Sequence, residues 1–226
     1  MTKQTPPLNT KEQTGAAGAA AYNKVVLALY DWYVIAFSNT MAWRCPSRRL
    51  LDFYNQHITD RHLDVGVGTG YFLDRCRFPV AQPTLALLDL NPNSLAVTAK
   101  RLQRYRPTTQ IGNVLDPVAM AEAPFASIGL NYLLHCLPGT MTSKAIAFQH
   151  LRPLLQEQGH VFGATILGQG VQHNLLGRKL MQIYNAKGIF GNGEDTAPAL
   201  ERALAAHFSH HTIAVVGCVA LFVGRV

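Results

Sequence analysis

The chain is poor in cysteine and has no close pair: Cys45, Cys76, Cys136 and Cys218 lie far apart, with no C-x-x-C motif. That spacing argues against a zinc site and a disulfide framework, and it fits a reducing cytoplasm. Charge is also sparse. Only 15% of residues are Asp, Glu, Lys or Arg, and no run reaches five like charges, although the formal net charge is +7. A dispersed positive excess speaks against a nucleic-acid footprint. The densest basic group (Lys100, Arg101, Arg104, Arg106) falls at the end of an expected helix, where cations complement the helix C-terminus. The first twenty residues lack a basic start followed by an apolar core, so no secretory signal is read there. The stretch from Val25 to Trp43 carries Asp31 as its only charge. Its Asn, Ser and Thr content and the mid-segment acid favour a buried or substrate-covering helix over a membrane span. No internal repeat is visible.

At 226 residues and 48% hydrophobic content, the chain suits one sizeable α/β domain. Residues 1–20 read as a disordered tail and residues 21–58 as an N-terminal helical cap. In the cap, Val26, Tyr30, Tyr33 and Phe37 recur at helical spacing and a second helix is expected over Ser47–Gln56. From residue 59 onward, strands and helices alternate. Strands are expected at Arg61–Gly66, Thr84–Leu90, Gln110–Leu115, Phe125–Leu133 and His160–Leu167. Helices are expected at Tyr71–Phe78, after Asn91-Pro92, and around Thr142–Gln156, Leu175–Tyr184 and Pro198–Phe208. Two β-rich runs, Thr212–Val216 and Val219–Val223, close the chain as a hairpin around Gly217-Cys218. This order predicts an α/β fold with a doubly wound, mostly parallel seven-stranded sheet and an antiparallel C-terminal hairpin.

Asp64-Val65-Gly66-Val67-Gly68-Thr69-Gly70 stands between the first strand and the next helix. A strand, a glycine turn and a helix start form a place where a nucleotide-like cofactor meets bare backbone, because a Cβ would block both the turn and the approach. A dinucleotide fingerprint requires G-x-G-x-x-G; here the third glycine comes one residue early, and an acid stands two positions before the first. No phosphate-loop lysine follows. In this motif the chain resembles the class I S-adenosylmethionine-dependent methyltransferases, whose first motif is an acidic residue followed by G-x-G-x-G. The resemblance spans roughly residues 60–226 in element order, and the final antiparallel hairpin is a trait of that family.

The resemblance implies a Rossmann-like methyltransferase domain that binds S-adenosyl-L-methionine and releases S-adenosyl-L-homocysteine. It assigns Asp64, Gly66, Gly68 and Gly70 to the cofactor loop. Asp89 ends the second strand 19 positions beyond Gly70 and would accept hydrogen bonds from the ribose hydroxyls, with Leu90 beside it. The adenine site corresponds to Asn113 and Val114, where the family usually has an Asp; Asp116 is the alternative to Asn113. Asn131 is expected beside the cofactor after the fourth strand. His135 in the same loop is the nominated general base, its other reading being a histidine packed beneath the loop.

Acceptor class is the thinnest part. The loop Asn131-Tyr132-Leu133-Leu134 departs from the [Asp/Asn]-Pro-Pro-[Tyr/Phe] signature of enzymes that methylate nucleobase amines. No carboxylate set for a metal-dependent catechol-type enzyme is present, so no metal is expected. Tyr30, Tyr33, Tyr132 and His173 are candidate substrate contacts, suited to a small, partly apolar acceptor such as a secondary metabolite methylated on O or N. The alternatives are a nucleic-acid or protein methyltransferase and a methyltransferase-fold protein without transfer activity.

Overall fold

The computed structural model describes residues 38–226. The expected tail, the first part of the cap, and Tyr30 and Tyr33 lie outside the described residues. After a helical turn at Asn39–Met41, the elements are α1 (Ser47–His57), β1 (Arg61–Val65), α2 (Tyr71–Arg75), β2 (Thr84–Asp89), α3 (Pro92–Arg101) and β3 (Thr108–Ile111). Then come β4 (Phe125–Asn131), α4 (Met141–Lys144), α5 (Ile146–Leu151), β5 (Leu155–Ile166), α6 (Leu175–Ala186), α7 (Ala197–Ala205), β6 (His210–Val216) and β7 (Val219–Arg225).

The seven strands form one sheet in the order β3-β2-β1-β4-β5-β7-β6, as the α/β reading expects. Strands β1 to β5 pair in parallel, and β7 pairs antiparallel with both β5 and β6. The central strands are buried on both faces, which is why Thr84–Asp89 and Phe125–Asn131 read as nearly continuous apolar runs. Alternate residues serve two cores. Leu63, Val65, Leu88, Ile128 and Leu130 pack with Phe148, Leu200 and Phe208 on one face. Leu85, Leu87, Phe162 and Ile166 pack with Leu50 and Tyr54 of α1 on the other.

The chain builds β1 to β3 outward on one side and then returns to lay β4 and β5 on the other. The order therefore reverses between β1 and β4, and ligands in open α/β sheets bind in the crevice at the carboxyl ends of such strands. Asp64 of β1 stands in register with Gly129 of β4. A Cβ on Gly129 would lie 2.8 Å from the Asp64 Oδ1 atom, so this glycine gives the carboxylate its room.

Several boundaries differ from the sequence reading. The third strand is Thr108–Ile111, because only those residues pair with Ala86–Asp89, and Asn113 then starts a turn in which its Oδ1 accepts the Leu115 N–H. The fifth strand begins at Leu155 rather than His160. Exposed Gln156, Glu157 and Gln158 interrupt it with an irregularity at which Gln158 has a positive φ. The helix expected over Thr142–Gln156 is two short helices followed by a 3-10 turn that carries Pro153. Among the described residues, no helix is long and apolar enough to cross a membrane.

Candidate functional site

A cavity of about 520 Å³ opens at the reversal point, within the range of small-molecule and cofactor sites. Its floor is the glycine loop after β1. Gly66, Gly68 and Gly70 all have φ between +53° and +71°, the left-handed region that costs side-chain-bearing residues. Their surroundings separate their roles. A Cβ on Gly66 would approach Leu133 Cδ1 to 2.7 Å, and one on Gly70 would approach Thr98 Cγ2 to the same distance. A Cβ on Gly68 would meet nothing within 4 Å. Gly66 and Gly70 thus let the loop pack against its neighbours, whereas Gly68 leaves bare backbone facing open space.

Asp89 stands at the end of β2, as expected. Its Oδ1 accepts the Asn91 N–H at 2.8 Å and its Oδ2 faces the Gly68 N–H at 3.4 Å, so the carboxylate is aimed across the glycine loop. Burial pushes its pKa up, while the amides of Asn91 and Gly68 oppose the shift. Leu90 beside it is exposed at the mouth of the cavity. Asp64 is buried, and its Oδ1 accepts a hydrogen bond from the Tyr54 hydroxyl of α1, with His62 Nε2 3.7 Å away. Burial and the Asp64 charge together hold the Tyr54 hydroxyl well above its ordinary pKa. Tyr54 carries no motif, and nothing in local spacing marked it.

The structure brings eleven of the fourteen expected site residues together. Asp64, Gly66, Gly68, Gly70, Asp89 and Leu90 line the cavity from β1 and β2. Asn113, Val114, Asn131, Tyr132 and His135 line it from the loops after β3 and β4. Of the two adenine-site alternatives, Asn113 faces the cavity and Asp116 is not among the lining residues. His173 is also not among them. Its Nε2 bonds to the Leu167 carbonyl at 2.9 Å, and its ring stands edge-on to Trp43, so it buttresses a wall residue instead of facing the space.

That wall, which is apolar and aromatic, completes the site. Trp43, Tyr132, Tyr184, Ile189 and Phe190 line the cavity, and the Phe190 ring stands against those of Trp43, Tyr184 and His135. Tyr132 holds a positive φ of 59° right after β4, which turns the chain over the crevice. The loop carrying Phe190 is fixed from behind by the fully buried Lys144 of α4. Its Nζ donates to Asp195 Oδ2 at 2.6 Å and to the Gly191 carbonyl at 2.9 Å. Gly191 in turn donates its N–H to the His135 carbonyl at 2.8 Å.

His135 is buried, at 3% exposure, with the Phe190 ring centroid 4.6 Å from its own. Its Nδ1 accepts the backbone N–H of Ile166 at 3.3 Å, with the Thr165 hydroxyl at 3.5 Å. Burial, helped by the Lys144 charge, pushes its pKa down to about 3. A nitrogen already committed to a backbone N–H is not free to take a proton. His135 itself lines the cavity.

These residues fit S-adenosylmethionine. The open backbone at Gly68 is a cradle that a side chain would fill, and Asp89 is an acceptor suited to paired ribose hydroxyls. Asn113 and Val114 line the same cavity from the loop after β3. No group of three metal-ligating side chains occurs among the described residues.

No family model matches the chain. It is 42% identical to the demethylluteothin O-methyltransferase of Streptomyces thioluteus over 91% of this chain and 89% of that one. It is 39% identical to the physcion biosynthesis cluster O-methyltransferase of Aspergillus chevalieri, over 91% of this chain and 93% of that one. Among solved structures, the N-methyltransferase NodS of Bradyrhizobium japonicum with bound S-adenosylhomocysteine matches 79% of this chain and 84% of that one, with a TM-score of 0.55 at 15% identity. An O-methyltransferase family protein of Burkholderia thailandensis matches 79% of this chain and 55% of that one, with a TM-score of 0.59 at 16% identity. The glycine cradle, the carboxylate ending β2 and the two sequence relatives, both named O-methyltransferases and matched over about nine-tenths of their length, agree: the chain belongs to the class I S-adenosylmethionine-dependent methyltransferase family.

Proposed function

We propose that the protein methylates an oxygen of a small, partly apolar secondary metabolite, with S-adenosylmethionine as donor. The observation that carries this is a single cavity with two unlike halves. One half offers open glycine backbone and a carboxylate; the other offers Trp43, Tyr132 and Phe190. The first half would hold the cofactor through Asp89, Gly68, Asn113 and Val114, with Asn131 beside its methionine end. The second would hold the acceptor.

S-adenosylmethionine supplies an electrophilic methyl group on a sulfonium whose leaving group is already good. The chain's own contribution is therefore alignment and exclusion of water. Tyr132 and Phe190 supply apolar cover, and the Lys144–Asp195 pair fixes the segment on which Phe190 sits. The basic patch gives no support to a nucleic-acid acceptor, because Arg104 pairs with Asp74 at 2.7 Å and stacks over Tyr105. All four cysteines are free thiols, which supports placing the protein in the cytoplasm.

Thermal-shift titration with S-adenosylmethionine and S-adenosylhomocysteine, with NAD and FAD as counter-ligands, tests the cofactor reading. Stabilisation by the first two is expected. Stabilisation by a dinucleotide alone would overturn the reading.

A further inference from the structure

We propose that Tyr54 is a positioning residue for the methyl donor: its hydroxyl sets the pose of Asp64, the acid of the glycine-loop motif, in a space that β4 leaves open at Gly129. This rests on the S-adenosylmethionine reading above. It adds to that reading a side chain of α1 and a glycine of β4, both outside the motif.

Three elements converge on one carboxylate oxygen. From α1, the Tyr54 hydroxyl donates to Asp64 Oδ1. From β1 itself, His62 Nε2 stands 3.7 Å from the same oxygen. From β4 comes Gly129, the partner of Asp64 in register. A Cβ there would lie 2.8 Å from Asp64 Oδ1, 3.1 Å from the Tyr54 hydroxyl oxygen and 3.1 Å from His62 Cε1. The three side chains thus crowd into the space of one missing methyl group.

Two of the three are braced from behind. Tyr54 is 1% exposed, and its ring stacks on Phe72 with planes 11° apart and meets Phe162 edge-on with centroids 5.0 Å apart. A ring held on both sides delivers its hydroxyl to one point. Burial and the Asp64 charge keep that hydroxyl protonated, so it stays a donor. His62 is fully buried, and its Nδ1 lies 2.8 Å from Ser127 Oγ of β4, which meets Thr59 Oγ1 at the same distance.

The torsion that turns an aspartate carboxylate about its Cβ–Cγ bond is soft. A hydrogen bond to Oδ1 removes that freedom before any ligand arrives. Asp64 and Tyr54 both line the cavity, and the glycine turn begins two residues after Asp64. S-adenosylmethionine carries a sulfonium and an ammonium against one carboxylate, so its net charge at neutral pH is positive. A carboxylate already held on the wall meets that charge without an ordering cost on binding. Burying a carboxylate is expensive in itself, and a purely structural contact between α1 and β1 could be made by apolar side chains.

Calorimetric titration of the full-length protein with S-adenosylmethionine tests the proposal. Tyr54→Phe keeps the packed ring, removes only the hydroxyl, and should weaken binding about tenfold. On an Asp64→Ala background the same change should alter affinity by less than about twofold, because the hydroxyl has lost the group it acts through. Gly129→Ala leaves Tyr54 in place and should also weaken binding, by crowding Oδ1. Leu50→Ala, on the same face of α1, should lower the urea midpoint while affinity stays within about twofold, which separates lost packing from lost pose. Unchanged affinity in Tyr54→Phe would overturn the proposal. A tenfold loss that persists on the Asp64→Ala background would do so too, since the hydroxyl would then act on the ligand directly. A wild-type protein that binds no S-adenosylmethionine would instead remove the cofactor reading, and the proposal with it.

Discussion

The three left-handed glycines differ in what a methyl group would strike, and this turns one motif into distinct experiments. Gly66→Ala and Gly70→Ala place carbon against Leu133 and Thr98 and should lower stability, by about 1–3 kcal/mol for overpacking plus the positive-φ cost. Gly68→Ala adds carbon to open space, so its larger effect should be on S-adenosylmethionine affinity, measured by calorimetry against the urea midpoint. Asp89→Ala removes the acceptor aimed across the loop and should weaken that affinity by about 1.5–3 kcal/mol, the worth of a hydrogen bond to a charged group. Unchanged affinity would take the ribose role away from Asp89. These residues were legible in the sequence because glycine alternation and the distance to Asp89 are local patterns. Tyr54 was not, because its bond to Asp64 joins a helix to a strand and leaves no trace in spacing. His135 was found from its place in the loop after β4, but the bond its Nδ1 accepts from the Ile166 N–H of β5 leaves no local trace.

At the scale of elements, the buried Lys144–Asp195 pair joins α4 to the segment before α7 and so holds the Phe190 wall. Asp195→Ala would strand a cation in the interior and should destabilise the protein by about 3–5 kcal/mol in equilibrium unfolding. Replacing both residues by apolar ones of similar volume should recover much of that loss, since the desolvation penalty disappears with the charges. The strands of the central sheet were readable from continuous apolar runs, and the hairpin from β-rich runs flanking Gly217. The start of β5 was not, because Gln156, Glu157 and Gln158 are exposed where the strand departs from its regular pairing. His173 reads as a loop residue; the contact that its place in the sequence does not announce is its edge-on stand against Trp43 from the other end of the chain's described part.

For the whole molecule, the buried and half-buried histidines should make stability fall in acid. Burial lowers His135 to about 3 and His57 to about 4, and His160 moves the same way. The folded state therefore refuses protons that the unfolded chain takes up below about pH 6.5, so stability is full above that value and falls as pH drops toward the folded values. His135 alone should remove about 2 kcal/mol between pH 7 and pH 5. His135→Gln should flatten the slope of unfolding free energy against pH over that interval; an unchanged slope would show that the ring titrates normally.

Trp43 and the hairpin turn add an ordering in time. The Cys218 N–H donates to the Trp43 carbonyl at 2.8 Å, and a Cβ on Gly217 would lie 2.3 Å from the same oxygen, so the two segments touch with no room for a side chain. Trp43 leaves the ribosome well before its support, because the Cys218 N–H belongs to the turn between β6 and β7, and β7 is slotted between β5 and β6. The glycine loop and Asp89 rest on β1, β2 and β4, with Gly129 and Leu133 against them, and all of these precede the hairpin. The wall that faces the acceptor waits for the hairpin. A nascent chain can therefore complete the glycine loop and the carboxylate ending β2 before it completes the aromatic wall.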